Sequence, residues 1–199
     1  MEQEQSGQYS QQAAEVKPGW KEEVIDWVKA LLIAAVLVVV IRVFLFSPYL
    51  VDGPSMEPNF HTGERVIVNK ILYDIREPEH GEVIVFEAPD GSDYIKRVIG
   101  LPGDTVRVDG DAVFVNGEKI AEPYIQSVID EYAKLGNGNT YNNKNYDEHI
   151  VPENQLFVMG DNRRNSRDSR DIGFIEYEKV IGRADVRIWP LSQIGFVAH

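Results

Sequence analysis

The sequence predicts an N-terminal transmembrane helix followed by a mostly β, antiparallel domain. Three observations carry that expectation. Residues 30–46 read ALLIAAVLVVVIRVFLF, in which Arg42 is the sole polar residue. Downstream, short runs rich in Val, Ile and aromatics alternate with turn residues, a pattern of strands. The pairs Asp109-Gly110 and Asn116-Gly117 separate three of those runs. A tight hairpin turn needs positive φ at its central residues, and such pairs supply it.

Taken in order, residues 1–20 are rich in Gln, Glu and Ser and lack an apolar period, so a disordered cytoplasmic tail is expected. Residues 21–46 are the expected anchor, which Pro48 ends. The seventeen residues of this run give roughly 25 Å of helix, a little short of the ~30 Å hydrocarbon core. Lys29 can snorkel at one end, Tyr49 and Leu50 can extend the other, and Trp20 and Trp27 suit the headgroup level. A buried core helix would show an amphipathic stripe, and the run has none. A cleaved leader would need a shorter lead-in and a small-x-small site after the run. Lys17, Lys21 and Lys29 precede the run, and only Arg65 is basic in the ~20 residues that follow. That bias places the N-terminus in the cytoplasm, with a single pass through the plasma membrane and residues 47–199 on the extracytoplasmic side. Within this β-rich domain, strands are expected at residues 65–69, 83–86, 94–100, 105–108, 112–115, 118–120, 157–159 and 184–189. Residues 126–149 look like an exposed loop insertion, with one helical turn near 128–134; five of the nine residues 137–145 are Asn.

The 199 residues hold one folded unit plus small extras. With 20 basic and 32 acidic residues the net charge is −12, which argues against a nucleic-acid partner. The absence of cysteine excludes thiol catalysis, disulfides and Cys-ligated zinc. His61, His80, His149 and His199 stand in no metal-ligand spacing, so no metal or cofactor is expected. His61 and His80 are read as solvated loop residues or as partners of a serine.

Three segments can carry chemistry. In Gly53-Pro54-Ser55-Met56-Glu57-Pro58 a serine sits in a rigid, non-helical context, either a plain turn or a nucleophile site. In Tyr94-Ile95-Lys96-Arg97-Val98-Ile99-Gly100, period two puts Lys96 on one face with Tyr94 and Val98, and Arg97 on the other with Ile95 and Ile99. Either both cations reach water at a strand rim, or one is covered. A covered lysine loses hydration of its charged form and can act as a base, which arginine cannot. Residues 160–170, GDNRRNSRDSR, suit a phosphate site, a solvated charged loop, or a brace of Asp–Arg pairs behind a reactive group.

These blocks, with Gly63-Glu64-Arg65-Val66-Ile67-Val68-Asn69-Lys70, their order and the anchor before them, resemble the type I signal peptidases, membrane-bound serine–lysine proteases. The single anchor is similar to that of the one-span members. The resemblance implies a β-rich catalytic domain of that type, with Ser55 as nucleophile and Lys96 as general base. It implies an oxyanion hole from the Ser55 backbone N–H and the position of Gly53, where many members carry serine. Ser166 matches the hydroxyl that orients the lysine, and Asp168 and Arg170 match the pair bracing the loop. Val51, Met56, Tyr94 and Ile95 match positions near the substrate. The implied partners are signal peptides of secretory precursors, cut after Ala-x-Ala, and the lipid bilayer. Nine residues separate Phe46 from Ser55, so the serine works within ~30 Å of the apolar run. Two rival readings are a membrane-tethered binding module, which would bind without Ser55 or Lys96, and a self-cleaving Ser–Lys peptidase.

Overall fold

A computed structural model describes residues 19–136 and 138–199. The expected tail lies outside them up to residue 18. In chain order come helix α1 (Trp20–Val40), a π-helical turn (Ile41–Leu45), β1 (Phe46–Leu50), β2 (Arg65–Asn69) and α2 (Leu72–Ile75). Next are β3 (Val83–Glu87), β4 (Asp93–Gly100), β5 (Thr105–Asp109), β6 (Ala112–Val115), β7 (Glu118–Lys119) and α3 (Gln126–Lys134). The last are β8 (Tyr146–Ile150), β9 (Gln155–Met159), α4 (Ser169–Ile172), β10 (Ile175–Glu176), β11 (Val180–Trp189) and β12 (Gly195–Phe196). Contacts divide the chain into a unit ending at Val40 and a unit Ile41–His199.

The first unit corrects one expectation. Among the described residues no helix is long and apolar enough to cross a membrane. Regular α-helix stops at Val40, and it takes in Lys21, Glu23, Asp26 and Lys29. The apolar run therefore outlasts α1, passing through the π-helical turn into β1, whose Phe46 pairs with Asn69. Pro48 lies inside β1 rather than at a helix end. It is tolerated because β1 is the edge of its sheet, where a missing N–H costs no ladder bond.

The second unit is two antiparallel sheets. The larger runs β1-β2-β11-β3-β4-β9-β10, with β12 added on β11; the smaller runs β7-β6-β5-β8. Asn116 (φ 54°) and Gly117 (φ 80°) form the expected turn with both residues at positive φ, since Val115 faces Glu118. The other hairpin differs by one residue. Asp109 pairs with Ala112, so the turn is Gly110-Asp111, and only Gly110 (φ 54°) is left-handed. A turn of that kind asks for glycine at its first central position alone.

The stretch 126–149 is more structured than a loop. It contains the nine-residue α3 and most of β8, which pairs with β5. Its Tyr141 and Asn142 are buried.

β4 positions the site. Its first half pairs with β3 from Asp93 to Arg97, while β9 joins its other edge only from Arg97 onward. The edge at residues 93–96 thus stays open on that side. One core cluster joins Val51, Met56, Phe60, Val66, Val68, Val83, Val85 and Ala184, so the segment between β1 and β2 is fastened to the sheet on both sides of Ser55. A second joins Ile99, Phe157 and Met159 to the valines of β5 and β6.

Candidate active site

Ser55 follows Gly53, whose φ of 89° lies in the left-handed region. The bond from Val51 N–H to Glu64 O (2.8 Å) and that from Gly63 N–H to Val51 O (2.9 Å) close the segment into a loop. Met56 is wholly buried in the core and pins the residue after Ser55. It does not line the cleft, contrary to the expectation for it. On the other side, Asn162 N–H donates to Ser55 O (3.0 Å) and Asn162 Nδ2 to Pro54 O (3.1 Å). The loop 160–170 is thereby stitched to the serine turn. The fit is close: a Cβ on Gly160 would fall 2.2 Å from Ser166 Oγ and 2.4 Å from Ser55 O, so only glycine fits there.

Lys96 Nζ lies 2.8 Å from Ser55 Oγ and 2.7 Å from Ile95 O. The lysine is only 3% exposed. Burial pushes its pKa down to about 8, against the pull of the Asp168 and Asp161 carboxylates. Its nitrogen stands 5.1 Å from the centre of the Tyr94 ring, on the shared strand face. Arg97, on the opposite face, is buried as well, at 1% exposure. Both cations are therefore covered, since both faces of β4 are packed. Arg97 makes a two-pronged pair with Asp161 (Nε–Oδ1 2.9 Å, Nη2–Oδ2 2.8 Å) and lies over the Tyr124 ring.

Asp168 is fully buried and accepts from Arg170 Nε (2.8 Å), Arg170 Nη2 (2.8 Å) and Gly160 N–H (2.9 Å). Burial alone would raise its pKa, but the Arg170 bonds and charge outweigh it and hold the carboxyl below its usual range. Ser166 Oγ is buried beside this carboxylate and makes no hydrogen bond to Lys96.

A cleft of about 360 Å³ opens on this pair, lined by Gly53, Ser55, Val51, Tyr94, Ile95 and Lys96. Tyr49, Val66, Val85, Asp93 and Arg167 are also among its lining residues. Of the expected residues, then, Ser55, Lys96, Gly53, Val51, Tyr94 and Ile95 share one cleft, and Ser166, Asp168 and Arg170 stand behind it. His61 sits against Glu57 and His80 against Asp104; neither bonds to Ser55. Among the described residues no group of His, Cys, Asp or Glu could hold a metal ion.

The signature of the signal peptidases, peptidase S26, matches residues 24–189. The chain belongs to the signal peptidase family, peptidase S26. A signal peptidase I of Bacillus amyloliquefaciens is 41% identical over 89% of this chain and 95% of its own length. Signal peptidase I S of Bacillus subtilis is 39% identical over 87% and 94%, and signal peptidase IB of Staphylococcus aureus 36% over 87% and 93%. A solved signal peptidase I of Enterococcus faecalis covers 55% of this chain and 97% of its own, at 33% identity and a TM-score of 0.49. This signal peptidase family member is accordingly a serine peptidase, a hydrolase.

Sequence reasoning misses several contributors. Asp161, Asn162 and Arg163 stand inside a block and receive no separate role from it. Asp161 has one available signal: an arginine on the covered face of β4 demands a buried carboxylate. Tyr49 has none, because β1 reads as the continuation of a helix.

Proposed function

We propose that this chain removes N-terminal signal peptides from secretory precursors, with Ser55 as nucleophile and Lys96 as general base. The observation that carries the reading is the 2.8 Å approach of a buried Lys96 Nζ to Ser55 Oγ at the floor of an open cleft. Neutral Lys96 takes the hydroxyl proton as Oγ bonds to the scissile carbonyl carbon. The resulting ammonium returns that proton to the leaving amine as the C–N bond breaks. Water repeats the cycle on the acyl-enzyme. On this reading the Ser55 N–H, which donates to no protein group among the described residues, receives the oxyanion. Gly53 leaves open space beside it. Ser166, Asp168 and Arg170 keep the loop closed on the serine turn. The apolar walls Val51, Val66, Val85 and Ile95 favour small substrate side chains, in keeping with Ala-x-Ala sites.

On the same reading the peptidase domain works at the membrane surface, attached there by the apolar run 30–46. The exposed Leu31, Leu32, Ile33 and Leu37 side chains support attachment to lipid.

The test is incubation of the detergent-solubilised protein with a secretory precursor, reading the new N-terminus of the product. S55A, K96A and K96R should each abolish cleavage, because arginine keeps the charge but cannot be a base. A Leu-x-Leu precursor should resist. Substantial turnover by K96R, or equal cutting of both precursors, would overturn the corresponding half of the proposal.

A further inference from the structure

The segment 140–144 ties two parts of the molecule together. At one end it is fixed to the β5–β6 turn: the Asp111 carboxylate accepts from Tyr141 N–H (3.1 Å) and Asn142 N–H (2.7 Å), and Asn142 Nδ2 donates to Gly110 O (2.6 Å). At the other it grips the loop 160–171. Tyr141 Oη donates to Asp161 O (2.9 Å), Arg164 Nη1 donates to Thr140 O (2.9 Å), and Lys144 Nζ pairs with Asp171 (2.6 Å). The central link is Asn142 Oδ1, which accepts from Arg170 Nη1 at 2.6 Å.

That link is deep. Asn142 is 3% exposed, and the ion-pairing ends of Arg170 and Asp168 are fully covered. The guanidinium is used up on this side of the site: Nε and Nη2 go to Asp168, Nη2 also to Arg163 O (3.1 Å), and Nη1 to Asn142. A planar fork held at all its corners has one orientation. From it the order passes to Asp168, then to Gly160 N–H, and so to the backbone that packs on Ser55 O.

We infer that Asn142 is a positioning residue for this peptidase, setting Arg170 and through it the loop that seats Ser55 and Lys96. The inference rests on the Ser55–Lys96 reading above. It makes the segment 140–144 a strap that anchors the active-site loop to the smaller sheet.

Loss of Asn142 Oδ1 frees one corner of Arg170 and weakens its hold on Asp168. The groups facing Lys96 are the Asp168 and Asp161 carboxylates, the Tyr94 ring and Ser55, with Arg170 and Arg97 behind the two aspartates. A less compensated Asp168 favours the ammonium of Lys96. N142A should therefore lower kcat on a soluble peptide by on the order of tenfold with KM unchanged, and move the acid limb of kcat to higher pH. N142Q keeps both the amide oxygen that Arg170 meets and the amide nitrogen that donates to Gly110 O and Lys144 O, and should recover most of kcat. In an R170K background, where no Nη1 arm remains, N142A should add nothing, since residues acting through one group are not additive. Wild-type kcat and limb in N142A, or the same tenfold loss in the R170K background, would overturn the inference. If N142A lacks a cooperative unfolding transition, N142Q decides: near-normal kcat upholds the link, and a folded N142Q as slow as R170K removes it. Failure of the dyad itself would be visible separately, as activity in K96R with Asn142 intact.

Discussion

On the proposed reading Lys96 concentrates the chemistry in one buried amine. An exposed lysine is almost wholly protonated at neutral pH, with a reference pKa near ~10.4, and makes a poor base. Burial lowers this one to about 8, while Asp168 and Asp161 keep it from falling further. Two consequences follow from the same shift. Cleavage should rise from acid pH along a limb governed by one deprotonation near pH 8 and reach a plateau above it. A limb near ~6.5 that vanished on mutation of His61 or His80 would name a histidine instead. The second consequence is thermodynamic. Between pH 8 and the unfolded value the unfolded chain binds more protons than the folded one, so stability gains as pH rises through that window. Below pH 8 the buried ammonium costs the fold its full penalty. K96M, of similar length and without charge, should be more stable than wild type at pH 7 by on the order of a few kcal/mol, and the gain should shrink toward pH 10. Urea unfolding at pH 7 and pH 10 measures it; a K96M protein no more stable at pH 7 would mean that the lysine is not held at a cost.

At the scale of elements, β4 carries the most information per residue. Its Lys96 serves the cleft, and its Arg97 locks the opposite face to Asp161 with both partners at 1% exposure or less. Removing one member of such a pair leaves an uncompensated buried charge. R97L should therefore lose about 3–5 kcal/mol, and R97L with D161L should regain much of it. Denaturant midpoints for the three proteins check this, and an R97L loss below about 1 kcal/mol would show that the pair does not fasten the strand. The period-two pattern was enough to set these two cations on opposite faces, and the strand bounds of β2 and β6 were legible from their valines. What covers each face was not legible, because it depends on the loop 160–170, on Tyr124 and on Ala198, all far away in the chain; Ala198 O, for example, accepts from Arg97 Nη1. β8 was missed for a related reason. Its YDEHI carries little apolar signal, and it becomes a strand by pairing with β5 and by packing Tyr146 on Phe157. The Asp109-Gly110 pair marked a hairpin correctly, while the pairing of Asp109 with Ala112 moved the turn one residue on. The blocks that hold Ser55 and Lys96 stood out in the sequence, whereas the bonds from Asn142 and Tyr141 to the loop 160–171 did not, since asparagines in a polar stretch read as loop.

For the molecule as a whole, the proposed function raises the question of how an acidic peptidase would meet precursors held at a bilayer. A net charge of −12 gives no attraction to an anionic leaflet, so electrostatics cannot hold the chain there. On the proposed reading the apolar run 30–46 holds it there, through burial of side chains such as Leu31, Leu37 and Val38, each more than half exposed. Attachment of that kind is insensitive to salt. It also raises the local concentration of enzyme around a membrane-inserted precursor without touching the cleft. Replacing Leu31, Leu37 and Val38 by Ser should therefore abolish flotation with lipid vesicles, in low and high salt alike. Turnover of a soluble peptide should stay within about twofold, since the unit Ile41–His199 has its own cores and contains Ser55 and Lys96. Cleavage of a precursor embedded in the same vesicles, at nanomolar enzyme, should fall on the order of a hundredfold or more. Flotation equal to wild type would remove the apolar run from the tether. An equal fall in soluble-peptide turnover would show instead that these side chains support the peptidase fold, and proximity would then no longer explain the loss.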